Sequence, residues 1–206
     1  MNRLKGAVLG LAFMALPAIA QAQLITFDDA MTGCGSTGLS NGYQGFNWNN
    51  FYVLNATPGC YQASGYTNGI VSSPNVAYNS YANPASVSLA GSFTFNSVYM
   101  TAAWNDGLNV FVQGFVGVNP VYSQLLVINT NGPTLFAPNW TGVDEVLFTS
   151  SGGTPHGYSG GGTHIAFDNM LMNNATVTPE PATLLLLATG LAGIGGIVRR
   201  RHQKNS

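Results

Sequence analysis

Hydrophobic and β-branched residues gather in short runs along this chain, with polar and Gly- or Pro-rich stretches between them. The segments 93–104, 108–118, 121–130, 143–150 and 163–172 are rich in Val, Ile, Thr, Phe and Tyr, and Asn-Asp-Gly, Asn-Pro, Asn-Gly-Pro and Gly-rich stretches separate them. That is the composition and punctuation of short strands. Asn105-Asp106-Gly107 predicts a tight hairpin between its neighbours, because Asn, Asp and Gly tolerate the positive φ such turns require. Segments 24–28 and 46–54 also read as extended, and no window between the termini carries the apolar period of a helix. Several short strands at this spacing predict an all-β fold, an antiparallel β-sandwich or jelly roll.

Two longer continuous apolar runs stand apart from these segments, one at each end, and all six Lys and Arg residues lie beside them. Arg3 and Lys5 precede the run 6–16, and Arg199, Arg200, Arg201 and Lys204 follow the run 182–198. Basic residues beside an apolar segment mark its cytoplasmic side. The first run is short, holds Pro17 at its end and leads to Ala18-Ile19-Ala20 and Ala20-Gln21-Ala22, both of which suit signal-peptidase cleavage. Residues 1–22 therefore read as a signal peptide, with the mature chain starting near Gln21 or Gln23. The second run, as a helix rising ~1.5 Å per residue, spans about 26 Å and reads as a transmembrane helix over 182–198, followed by a basic cytoplasmic tail at 199–206. Between the ectodomain, 23–174, and this helix lies a linker, 175–181, that ends in Pro179-Glu180-Pro181. The two prolines fix an extended, helix-breaking tripeptide at the outer membrane face.

Pro179-Glu180-Pro181, the apolar helix and Arg199-Arg200-Arg201, in that order, resemble the PEP-CTERM sorting signal of Gram-negative bacteria. The likeness covers roughly the last 28 residues. It implies an exosortase-type sorting enzyme as a partner, besides signal peptidase and the export machinery. It also implies an inner-membrane anchored precursor that passes to the cell surface or extracellular matrix, and a link to exopolysaccharide and biofilm.

The ectodomain's formal charges are Asp28, Asp29, Asp106, Asp144, Glu145 and Asp168, with no Lys or Arg. Without cations it cannot neutralise phosphates, which excludes nucleic acid as a partner and disfavours anionic glycans. Its two cysteines, Cys34 and Cys60, lie in the exported region, where an even set pairs. One disulfide is predicted, and chain-entropy arithmetic for a loop of this length gives it about 3.5 kcal/mol.

Gly-Phe-Asn-Trp at 45–48, Phe-Thr-Phe-Asn-Ser-Val at 93–98, Ala-Ala-Trp-Asn-Asp-Gly-Leu at 102–108 and Phe-Asp-Asn-Met at 167–170 look like the uncharacterised β-sandwich ectodomains found before this sorting signal. Those are similar in shape to galactose-binding-like carbohydrate modules. The resemblance implies a fold and carries over no catalytic residue.

Candidate chemistry is sparse. Gly38-Leu39-Ser40-Asn41-Gly42 and Gly157-Tyr158-Ser159-Gly160-Gly161 match the nucleophile-elbow pattern, which has meaning only on a strand-to-helix turn. His156, His164 and Asp168 form a conceivable metal set. Asp28-Asp29 and Asp144-Glu145 are sequence neighbours, which on a regular strand face opposite ways. Asp28 and Asp29 open the domain, while Asp168 and Asn169 close it. Carboxylates and amide oxygens suit Ca²⁺, so a structural calcium joining the two ends is the one cofactor expected. If a ligand binds, it is expected to be neutral polysaccharide held on the faces of Trp48, Trp104 or Trp140, although Trp is also a highly buried residue type. The sequence thus reads as an exported, non-catalytic surface or matrix component, structural or glycan-binding. A hydrolase acting on neutral polysaccharide is the alternative.

Overall fold

The computed structural model describes residues 21–174. The signal-peptide segment up to residue 20, the Pro-Glu-Pro linker, the transmembrane run and the Arg cluster lie outside the described residues.

Eleven strands form the domain, in the order β1 (Gln21–Ile25), β2 (Ser36–Gly38), β3 (Asn47–Asn49), β4 (Phe51–Asn55), β5 (Asn75–Asn79), β6 (Ala85–Ala102), β7 (Asn105–Val116), β8 (Asn119–Ile128), β9 (Thr134–Phe136), β10 (Trp140–Pro155) and β11 (Ile165–Asn174). The only α-helical turn among the described residues is α1 (Gly65–Asn68). All strand pairs are antiparallel, and the hydrogen-bonded path runs β2-β4-β5-β11-β6-β10-β7-β8, with β1 on β11 and both β3 and β9 on β6. The fold is therefore all-β, as the strand composition and turn spacing predict.

β6 is long enough to serve two layers. Its first residues pair with β3 and β10, through Ser86 with Asn49 and Leu147, and its later ones pair with β11 and β9, through Met100 with Phe167 and Thr134. One layer is β2-β4-β5-β11 and the second half of β6; the other is β3, the first half of β6, β10, β7 and β8. Phe148 on β10 meets Phe51 on β4 at 6.2 Å and Phe167 on β11 at 4.9 Å between ring centroids, so the layers close on a shared aromatic core. Alternation along β7 supplies part of this core: Leu108, Val110 and Val112 are buried, whereas Asn109 and Phe111 between them are not.

Asn105-Asp106-Gly107 does not close a hairpin, contrary to expectation. It begins β7, whose Asn105 and Asp106 pair with Pro155 and Thr154 of β10, and β6 and β7 are not hydrogen-bonded neighbours. The turn chemistry is locally sound, since Gly107 has φ 69°. What sequence could not show is that Ala103-Trp104 carries the chain from one layer to the other, where β10 already stands between the two strands.

The outer face of the first layer is covered as well. Segment 57–72 lies over it and forms a second apolar cluster with Leu54, Ala56, Tyr66, Val76, Ala103, Trp104 and Ala166. A disulfide between Cys34 and Cys60 ties this cover down, as predicted. The loop it closes is less irregular than its glycines suggest, for it holds β2, β3 and β4. Close approach demands glycine at residue 65, where a Cβ would fall 1.7 Å from the Ala102 carbonyl oxygen.

Candidate functional site

The second layer turns a broad outer face away from the core, and its cross-strand register defines what that face presents. One row crosses all five strands: Asn49 on β3, Ser86 on β6, which is itself buried, Leu147 on β10, Gln113 on β7 and Ser123 on β8. The next row toward one end runs Asn47, Ser88, Glu145 and Phe115. Toward the other end come Thr149, Phe111 and Leu125, then Ser151, Asn109 and Val127. These residues alternate with the buried Trp48, Val87, Val146, Phe148 and Val112, which explains why they share a face. Amides, hydroxyls and apolar side chains thus lie interspersed, and Glu145 is the only charged residue in those rows. Phe111 is 39 % exposed and Leu125 60 %. Composition marked 108–118 and 121–130 as strands, but which strands adjoin and which side chains share this face depend on pairing that sequence does not reveal.

The predicted tryptophan platforms are not part of it. Trp48, Trp104 and Trp140 are buried, at 4, 6 and 8 % exposure. The Trp48 indole N–H donates to the Tyr43 carbonyl at 2.9 Å, and Phe27 and Phe51 meet its ring edge-on. Trp140 stacks on Tyr122 with centroids 5.3 Å apart. Gly160 covers Trp104 so closely that a Cβ there would sit 2.4 Å from the indole. Each indole fills the space between strands or beneath a loop, where its large apolar area is best satisfied.

A polar cluster occupies the loop end above Trp104. His156 Nδ1 lies 2.6 Å from Asp106 Oδ2, the one ion pair among the described residues, and Asp106 Oδ1 accepts from the Thr130 N–H and hydroxyl, each at 2.8 Å. These bonds pull the Asp106 carboxyl down to about 2, the His156 bond contributing most. Tyr158 stacks on His156 at 4.4 Å, and the Asn68 amide donates to the Tyr158 hydroxyl at 3.1 Å. The Ser159 hydroxyl donates to Gln62 Oε1 at 2.7 Å rather than to a histidine, so its elbow-like motif builds no nucleophile.

Nor do His156, His164 and Asp168 converge as the conceivable metal set required. His164 is half-buried beside Tyr66 and Tyr78, and burial lowers its pKa. Asp168 sits under the segment after α1, where it accepts the N–H groups of Val71 at 2.7 Å, Ser72 at 2.9 Å and Asn169 at 2.7 Å, and the Ser72 hydroxyl at 3.1 Å. With no cation in the domain, burial dominates and lifts its carboxyl to about 6.

The four residues expected to hold calcium are only partly assembled. Asp28 accepts the Asn75 N–H at 3.0 Å, so Asp28 and Asp168 grip two ends of one segment, 71–75. Asp29 points elsewhere and accepts the Tyr43 hydroxyl at 2.5 Å and the Gln44 amide at 3.0 Å. Asn169 takes a left-handed φ of 46° at an irregularity in the β11 register. Among the described residues no group of three or more His, Cys, Asp or Glu could hold a metal ion. Asp144 and Glu145 are both half-exposed, because a register shift between Val143 and Glu145 breaks the strict alternation, but Asp144 accepts the Gly117 N–H at 2.6 Å in the turn between β7 and β8.

Comparison with known proteins bears chiefly on the C-terminus. Residues 177–201 match the PEP-CTERM protein-sorting motif. No curated protein matches the chain. A solved structure described as "CBM4 structure and function" is similar to it at 18 % identity, over 62 % of this chain and 87 % of that one, with a TM-score of 0.31. The sorting motif implies processing by exosortase, and it marks the chain as an exported, membrane-anchored precursor destined for sorting to the cell surface.

Proposed function

We propose that the ectodomain is a non-catalytic surface module that binds neutral polysaccharide on the outer face of its second layer, and that it serves there as a component of the exopolysaccharide matrix. The observation that carries this reading is the set of cross-strand rows. Asn47, Asn49, Gln113, Ser123 and Thr149 offer donors and acceptors between Phe111, Phe115 and Leu147, which matches the mixed CH and OH surface of an uncharged sugar chain. No Lys or Arg is present in residues 21–174 to recognise phosphate, sulfate or uronate. Binding rather than hydrolysis is favoured because Glu145 is the lone carboxylate of those rows, whereas glycoside hydrolysis calls for a pair about 5–9.5 Å apart.

Affinity electrophoresis through gels containing neutral or uronate-bearing polysaccharide tests the proposal. The protein should be retarded by a neutral polymer and not by the anionic one. Phe111→Ala and Gln113→Ala should each reduce the retardation, with Kd rising about three- to tenfold, since neither side chain supports the core. Retardation unaltered by both substitutions would place binding elsewhere.

A further inference from the structure

The connection from β5 to β6, residues 80–84, holds its backbone in a conformation that its residues disfavour. Tyr81 has φ 53° and Ala82 has φ 57°, consecutive left-handed residues with side chains. Tyrosine pays a steric cost there that glycine would not. Most positive-φ positions of the domain are glycine or asparagine, as at Gly91, Gly107, Asn139 and Asn169; Phe27 and Gln44 are the other residues that share the conformation, and neither adjoins a second such residue that carries a side chain. The strain is not a sign of looseness. Asn50, itself at φ 57°, donates its side-chain amide to the carbonyls of Ser80 at 3.0 Å, Asn83 at 3.2 Å and Pro84 at 3.2 Å, and its own carbonyl accepts the Ser80 N–H at 3.1 Å. Asn79 adds a bond to the Asn83 carbonyl at 3.1 Å. Two amides thus clamp the loop.

The clamp does not serve to bury the ring. Tyr81 is 84 % exposed, the most open aromatic side chain among the described residues. A strained backbone held rigid to display an unpacked aromatic ring is the kind of outlier from which function is inferred. Its position points to the ligand. Asn50 directly follows Asn49, the end of the row that continues through Ser86 and Leu147, and Pro84 directly precedes β6. The loop that carries the ring therefore adjoins the border of that face.

We propose that Tyr81 is the anchoring aromatic of that face, its ring stacking on the apolar CH side of a neutral pyranose while the phenol hydroxyl bonds a sugar hydroxyl. This rests on the reading of the face as a glycan surface. Tyrosine suits the task because it offers a large rigid contact at small entropic cost, and the clamp removes the cost of ordering the loop on binding.

The experiment uses the full-length chain in detergent micelles, titrated calorimetrically with cello-, laminari- and isomalto-oligosaccharides, for wild type, Tyr81→Gly, Tyr81→Phe and Gln113→Ala. Tyr81→Gly relieves the strain, so its Tm should equal or exceed that of wild type while Kd for the bound sugar rises about tenfold or more. Tyr81→Phe keeps the ring and should stay within about threefold of wild type. Wild-type affinity in Tyr81→Gly alongside weakened binding in Gln113→Ala would overturn the anchor and leave the face standing. A lower Tm in Tyr81→Gly would also overturn it, because the ring would then serve the fold. If wild type binds none of the three sugar series, the face and its anchor fall together.

Discussion

Asp168 carries the least favourable charge in the domain. It is 1 % exposed, no Lys or Arg exists to meet it, and its carboxyl is lifted to about 6 against an unfolded value near 3.9. Between those values the native chain holds a proton that the unfolded chain has released. Stability must therefore fall as pH rises from about 4 to about 6 and level off above, by at most about 3 kcal/mol at ~1.4 kcal/mol per unit. Asp106 acts in the opposite direction at lower pH: its carboxyl, depressed to about 2 chiefly by His156, stabilises the fold above about pH 4 and loses that contribution as the pH falls further. Urea denaturation should find the domain more stable at pH 4.5 than at pH 7.5, with the difference abolished in Asp168→Asn; a rise in stability over that interval would contradict this account. Because Asp168 is closed by backbone N–H groups and the Ser72 hydroxyl while Asp29 turns to Tyr43, chelation with EDTA should leave Tm unchanged. A fall of several degrees would restore a structural calcium. At this scale the sequence showed which residues hold charge and aromatic area. It could not show where each one packs. Trp48, Trp104 and Trp140 were candidate platforms set against the usual burial of tryptophan, and a local pattern does not decide between the two faces of a strand until its neighbours are known, whereas Tyr81 lay outside every strand-like segment.

At the scale of elements, the cover over the first layer should be the weak point of the fold. Removing the bridge with Cys34→Ser and Cys60→Ser should cost about 2–4 kcal/mol, read as a shift in urea midpoint at constant slope. Gly65→Ala should do comparable damage, by about 3 kcal/mol or more, because its new Cβ would collide with the Ala102 backbone, which cannot yield as a flexible side chain can. If Gly65→Ala matched wild type, α1 would not be docked where the structure has it. The strands β7, β8, β10 and β11 and the second half of β6 were legible because their Val, Ile, Thr, Phe and Tyr content stands out between turn residues, whereas β5 and the first half of β6, 85–92, did not read as strands. The short strands β2 and β9, three residues each, were not, since three residues cannot display a period. The missed pairing of β6 with β10 has a different cause. It joins residues some 60 positions apart, and no local signal encodes a partner at that distance.

For the whole molecule, export and sorting should fix the ends of the mature protein. β1 begins at Gln21, which pairs with Asn174 at the end of β11. Cleavage after Ala20 leaves the strand intact, whereas cleavage after Ala22 removes two of its five pairs, so the mature N-terminus should be Gln21. In a host with an active exosortase, the intact mass of surface protein should also lack residues 182–206; a mass retaining them would argue against processing at the motif. The central claim is that a sheet face without Lys or Arg, edged by an aromatic ring, recognises neutral sugar, and a glycan array probed at two ionic strengths tests it most directly. The account predicts signal on neutral polysaccharides that persists when salt rises from about 20 to about 500 mM, because no ion pair takes part in the contact. Preferential binding to uronate or sulfated glycans, lost at the higher salt, would contradict it.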